Sequence, residues 1–246
     1  MSPVLALDEV TAGYVGDIDV LRRVSLDVAP GAITGLIGLN GAGKSTIMKT
    51  ICGFLKPKNG HVVYDGTDIT GLAPHLLARH GIWYIPQESS LFPYMSVENN
   101  LRLPLEGLLR ATGRDRDSVS ARMDETLGHF PALRAKLGSQ AGDLSGGQQK
   151  MLEFAKAYAM QPRLCLIDEP SIGLSPKIAE EVFEWIRLFA DRGMAILLVD
   201  HNVRRVVAMS AYVYVLSLGE ITAEGRPEDF QGDLHEQVRA WPGINF

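Results

Sequence analysis

The chain has 246 residues, a formal net charge of −5, 46% hydrophobic and 22% charged residues, and two cysteines. That is the size of one α/β domain carrying a subdomain, or of two small domains at most, with ample apolar content for a core. The balance excludes a disordered chain, an electrostatic grip on nucleic acid and a disulfide scaffold. No basic-then-apolar leader opens the chain and no apolar run nears the ~18 residues of a bilayer span, so a cytoplasmic location is expected and a membrane role needs a partner.

In chain order, Val24, Leu26 and Val28 alternate with Ser25 and Asp27, and His61 to Tyr64 run into Asp65-Gly66, which reads as strand then turn. An N-terminal antiparallel β portion is expected. Between those segments the apolar strand Ile33 to Ile37 leads into Gly38-Leu39-Asn40-Gly41-Ala42-Gly43-Lys44-Ser45-Thr46. Another strand is predicted at Ile82 to Ile85. From about Ser96 to Met160 β signals vanish and helix-forming segments follow, interrupted by the polar stretch Arg110 to Arg122 with Gly113, read as a solvated loop. Leu164 to Ile167 and Met194 to Val199 are short apolar runs suited to strands buried on both faces. Ile178, Val182, Trp185, Ile186 and Phe189 recur at helical spacing between them, with Gly193 as the stop. Tyr212 to Leu218, Gly219-Glu220 and Ile221 to Glu224 predict a closing hairpin. Strand, helix, strand is the signature of a parallel α/β core.

The Gly38 to Thr46 segment satisfies G-x-x-x-x-G-K-[ST] directly after a strand and at the start of a helix. Its glycines let consecutive N–H groups point inward, and the helix adds its positive end, so a polyphosphate is the fitting ligand. In that arrangement Lys44 reaches the β and γ phosphates, Ser45 offers its hydroxyl to Mg²⁺ and Thr46 bonds the α phosphate. Gly38, Asn40, Gly41 and Gly43 complete the predicted phosphate-binding loop. Downstream, the apolar strand ending in Asp168-Glu169 puts two carboxylates at the C-terminal edge of a parallel sheet, where the phosphates sit. Asp168 suits Mg²⁺ and Glu169 suits a general base for the attacking water. Leu144-Ser145-Gly146-Gly147-Gln148 forms a second anion nest, with Ser145 as N-cap of a helix to Met160. One phosphate loop already serves one nucleotide, so the second nest implies a different one.

With these elements in order, the sequence resembles the ATP-binding cassette (ABC) family along essentially its whole length. The resemblance implies a RecA-like P-loop core with an antiparallel β portion (about 1–87 and 162–246) and an inserted helical subdomain (about 88–161), together one nucleotide-binding domain over 1–246. It also implies a head-to-tail pair of cassettes, each Ser145, Gly146, Gly147 and Gln148 closing over the γ-phosphate held by the other subunit. Tyr14 then matches the aromatic that stacks on adenine, Gln87 the glutamine that touches Mg²⁺ and the attacking water, and His201 the switch histidine on the γ-phosphate. The implied cofactors are ATP and Mg²⁺. The implied partners are a second ABC ATPase subunit, as homo- or heterodimer, and transmembrane permease subunits on the inner face of the membrane.

Within the family, Thr11 to Tyr14, Asp65 to Gly71, Phe92-Pro93, Ser96 to Leu101 and Pro170 to Pro176 resemble ATPases of branched-chain amino acid importers and related amide or urea importers. A periplasmic solute-binding protein would be an indirect partner of such a system. Ser175 departs from the Asp most cassettes carry there, which removes the usual carboxylate coupling across the dimer seam. Asp200-His201-Asn202-Val203-Arg204 looks more like the lipopolysaccharide-export ATPase, and a non-transport cassette for iron–sulfur assembly is a further alternative. A chromosome-type cassette is disfavoured by the lack of heptads between Lys44 and Ser145, and a GTPase by the lack of Asn-Lys-x-Asp. The apolar segment around Leu91, Phe92, Tyr94 and Met95 is expected to meet the membrane partner, Phe92 and Tyr94 above all.

Overall fold

The structure, a computed structural model, describes residues 2–16, 18–112 and 117–230. Its strands are β1 (Leu5–Ala12), β2 (Leu21–Val28), β3 (Ile33–Ile37), β4 (Asn59–Tyr64), β5 (Thr67–Asp68), β6 (Ile82–Ile85), β7 (Leu164–Asp168), β8 (Ala195–Val199), β9 (Tyr212–Ser217) and β10 (Glu220–Gly225). The helices are α1 (Lys44–Ile51), α2 (Pro74–Leu77), α3 (Val97–Thr112), α4 (Asp117–His129), α5 (Gly146–Met160), α6 (Pro176–Asp191) and α7 (Val203–Met209).

Among the described residues the strands form two sheets. A four-stranded sheet runs β2-β1-β4-β5, with antiparallel pairing throughout. A six-stranded sheet runs β10-β9-β3-β8-β7-β6 and is parallel from β9 to β6, with β10 as an antiparallel edge. Both faces of the parallel sheet are covered, which is why β3, β7 and β8 are buried at every position. Alternate residues serve alternate layers. Cys165, Ile167, Ile196 and Leu198 pack with α3, α4, α5 and α6 residues such as Leu101, Leu127, Phe154 and Phe189. Leu164, Leu166, Leu197 and Val199 pack with α1 and the antiparallel sheet through Ile47, Met48, Val10 and Val24.

The expected strands and the α6 helix are where periodicity puts them. The closing hairpin forms as β9 and β10, and β9 also pairs in parallel with β3, so that it extends the main sheet. Two findings differ. One of the two inner strands of the antiparallel sheet is β1, which periodicity does not single out. The polar stretch Arg110 to Arg122 is helical on both sides of 113–116, α3 running to Thr112 and α4 starting at Asp117; Gly113 itself lies outside the described residues.

Candidate nucleotide site

The strand order decides what meets at the C-terminal edge of the parallel sheet. β3, β8, β7 and β6 are neighbours, and they feed the loops carrying Lys44, His201, Asp168-Glu169 and Gln87 respectively. Loops at that edge are free to line a ligand crevice. A cavity of about 450 Å³ opens there, lined by Asn40, Gly41, Gly43, Lys44, Ser45, Thr46, Gln87, Glu169 and Ile172. A second hollow of about 540 Å³ shares Ser45 and Gln87 with it and adds Tyr14, Lys49, Tyr84 and Asp168.

The loop after β3 is held by close approach. At Gly38 a Cβ would lie 2.2 Å from the Leu216 carbonyl oxygen, so the loop can lie against β9 only without a side chain. Gly43 is the N-cap of α1 with φ of 112°, a conformation other residues rarely adopt. The buried Lys44 ammonium donates to the carbonyls of Gly38 (2.8 Å) and Leu39 (3.0 Å). Burial lowers its pKa, and the Glu169 and Asp168 carboxylates work against that shift. Tyr14 is 54% exposed, its hydroxyl 3.3 Å from Thr46 Oγ1 and its ring under the Lys49 ammonium at 5.5 Å. An exposed ring beside the phosphate loop has a face free for stacking.

Asp168 closes β7 and is buried. Its Oδ2 accepts from the Tyr84 hydroxyl at 3.3 Å, while Oδ1 has no hydrogen-bond partner. Desolvation pushes its pKa up, opposed by the Ser45 and Tyr84 hydroxyls and by Lys44 and Lys49. Oδ1 therefore carries an uncompensated desolvation cost that a hard cation would relieve. Among the described residues no cluster of three or more His, Cys, Asp or Glu could hold a metal alone. Mg²⁺ characteristically shares substrate phosphates with one or two protein oxygens, so this donor set fits it. Glu169 follows with φ of 45° and a pKa raised by burial, opposed by Lys44, raised further by Asp168 and Asp200 and lowered by His201. His201 is half exposed with Nδ1 3.4 Å from Asp200 Oδ1.

Ser145 to Gln148 line neither cavity. Ser145 caps α5 as predicted, in a reciprocal box in which Gln148 N–H donates to its Oγ (3.4 Å) and its own N–H donates to Gln148 Oε1 (3.1 Å). The first-turn N–H groups of Gly146 and Gly147 have no intrahelical acceptor. At Gly147 a Cβ would meet the Ile178 side chain at 3.0 Å, so a small residue seats the start of α5 on α6.

Two groups beside the site escaped the sequence reading. Glu153 on α5, buried, accepts from Lys150 Nζ (2.7 Å) and from the Ser90 N–H (2.7 Å), while Lys156 Nζ donates to the Ser90 carbonyl (2.9 Å). The loop after Gln87 is thus fastened to the helix that starts at Ser145. Asp200 and Ser171 form the other, 29 residues apart. Neither pairing leaves a motif, because each joins residues distant in sequence.

A phosphate loop, an acidic strand end and a histidine on adjacent parallel strands define a P-loop nucleotide-hydrolysing cassette. The ABC transporter family profile matches residues 21–172, well over half of the chain, and the protein belongs to that family. It is an ATPase that energises a transporter. Over 217 residues it is 36% identical to the high-affinity branched-chain amino acid transport ATP-binding protein BraG of Pseudomonas aeruginosa, covering 88% of this chain and 90% of that one. It is 37% identical over 229 residues to the lipopolysaccharide export system ATP-binding protein LptB of Escherichia coli K12, covering 92% of each. Among solved structures, the ADP conformation of MJ1267, an ATP-binding cassette of an ABC transporter, superposes with a TM-score of 0.83 at 28% identity, over 98% of this chain and all of that one. The dimeric structure of MJ0796, a bacterial ABC transporter cassette, superposes with a TM-score of 0.79 at 26% identity, over 91% and 98%.

Proposed function

We propose that this cassette drives uptake of branched-chain amino acids or related small polar solutes. The transport reading is carried by the likeness to transporter subunits, and the paired-cassette reading by the absence of Ser145 to Gln148 from the lining of the cavity at Lys44. The likeness to BraG, together with the Pro170 to Pro176 segment, supports the substrate class. In this reading ATP lies with its phosphates on Gly38 to Thr46, its adenine against Tyr14, and its γ-phosphate between His201 and the partner's nest. Ser45, Gln87 and Asp168 would hold Mg²⁺, which when bound would neutralise charge on the phosphate oxygens. Glu169 takes the proton of the attacking water as the bond from the γ-phosphorus to the ADP oxygen breaks, with Gln87 orienting that water.

The whole chain over 1–246 acts as one nucleotide-binding domain, with about 88–161 as its helical part; residues 231–246 lie outside the described ones. No described helix is long and apolar enough to cross a membrane. In the proposed reading the work is delivered to separate permease subunits on the inner face. Phe54, Phe92 and Tyr94 are 62%, 49% and 89% exposed, and Phe54 lines an apolar hollow of about 380 Å³ together with Leu77, Trp83 and Pro86. This surface suits an apolar segment of the permease.

Asp200 to Arg204 and the likeness to LptB favour a second reading, lipopolysaccharide export. Uptake of radiolabelled leucine and of short amides by cells with and without the gene separates the two. Loss of uptake supports import. Intact uptake, with lipopolysaccharide accumulating at the inner membrane, supports export and overturns the first reading.

A further inference from the structure

Asp200 follows β8 and is 2% exposed. Both of its carboxylate oxygens are engaged. Oδ2 accepts from the Ser171 N–H at 3.2 Å, and Oδ1 accepts from the Ser171 hydroxyl at 3.0 Å and the Asn202 N–H at 2.8 Å. His201 Nδ1 stands 3.4 Å from the same Oδ1. A further hydrogen bond runs from the Glu169 N–H to the Val199 carbonyl at 2.8 Å. The loop leaving β7 is therefore tied to the loop leaving β8 on both sides of Pro170. The tie before Pro170 is made by Glu169 itself, which lies in the left-handed region that residues with a side chain seldom adopt.

A residue kept only for filling space would not be an acid here. Burying a carboxylate is costly unless donors surround it, and an apolar side chain of similar volume avoids the cost altogether. Three donors and an imidazole converge on this one, and each belongs to a loop of the nucleotide site. We infer that Asp200 is a positioning residue for hydrolysis: through Ser171 it holds Glu169 in its left-handed backbone, and through Oδ1 it orients His201. Glu169 and His201 then approach one phosphate together, with Nε2 of His201 left for the ligand. The inference rests on the roles proposed above for those two residues.

The test is single-turnover hydrolysis of radiolabelled ATP by the purified full chain in excess, giving a maximal rate and a half-saturating concentration for each variant. Ser171→Ala deletes one charge-assisted hydrogen bond and should lower the maximal rate roughly tenfold while half-saturation moves less than about twofold. Ser171→Thr restores the hydroxyl and should recover most of that loss. Asp200→Ala should be slower still because it also releases His201, and adding Ser171→Ala to it should cost no more, because the Ser171 hydroxyl acts only through Asp200. Where Asp200→Ala fails to fold by circular dichroism, the Ser171 pair alone decides. Rates unchanged in Ser171→Ala, losses that multiply in the double variant, or no recovery in Ser171→Thr each overturn the inference. Glu169→Gln is the control: if it hydrolyses normally the catalytic reading itself fails, whereas a dead Glu169→Gln beside a fully active Ser171→Ala sinks only the role of Asp200.

Discussion

Glu169 combines a raised pKa, a strained backbone and a place in the cavity that holds Lys44. Exchange for Gln keeps its shape but removes its ability to take a proton. Hydrolysis should fall by about 10²–10⁴-fold, the range of general-base contributions. ATP affinity should persist, and a nucleotide-bound dimer should accumulate on size-exclusion chromatography. Turnover near the wild-type rate would remove Glu169 from the base role. The two cysteines carry the opposite expectation. Burial pushes the Cys52 thiol up to about 12, with Asp168 adding to the shift, and burial raises Cys165 as well. Only the thiolate is nucleophilic, so both should resist iodoacetamide at neutral pH in the native protein and react once it is unfolded. Fast native labelling of Cys52 would mean that the wall of the Phe54 hollow opens readily.

At the scale of elements, the loop entering α3 is organised by one side chain. Asn100, fully buried, accepts from the Phe92 N–H (2.9 Å) and donates to the carbonyls of Phe92 (3.0 Å), Met95 (3.3 Å) and Ser96 (3.1 Å). Asn100→Ala leaves those backbone groups short of partners and should cost about 2–4 kcal/mol, seen as a lower urea midpoint, with new proteolytic cleavage near Phe92. An unchanged midpoint would show that water replaces the amide without loss. Such loops are poorly legible in sequence, whereas the strand leading into Gly38, the strand ending at Asp168 and the Ser145-capped α5 are local patterns that the sequence displays directly. β1 was missed for a physical reason. Its apolar residues Leu5, Leu7, Val10 and Ala12 break alternation at a bulge where Glu9 has φ of 50°, and the register with β2 and β4 shifts there. In α4 the buried Val119, Met123 and Leu127 do keep a helical spacing, but the surrounding charges read more strongly as loop.

In the proposed dimer each chain supplies one half of each working site. Lys44 sits after β3, and Ser145 starts α5 outside both cavities. The Glu153 and Lys156 bonds to Ser90 fasten α5 to the loop after Gln87. A dimer of two copies related by a twofold axis would place each nest on the other copy's nucleotide. Complementation tests this directly. A chain carrying Lys44→Ala cannot grip phosphate but keeps its nest; a chain carrying Ser145→Arg loses the nest but keeps its phosphate loop. Each alone should be inactive. Mixed in equal amounts and allowed to exchange, half of the dimers pair one of each, and each such dimer contains one intact composite site, so about a quarter of the wild-type hydrolysis should return if the sites fire independently. If the mixture stays as inactive as its components although exchange is verified by differently tagged chains, then either the nest serves its own chain's nucleotide or both sites must be whole. A second mixture, wild type with the doubly substituted chain, separates these: its mixed dimers contain no whole site in the composite arrangement and one in the self-contained arrangement.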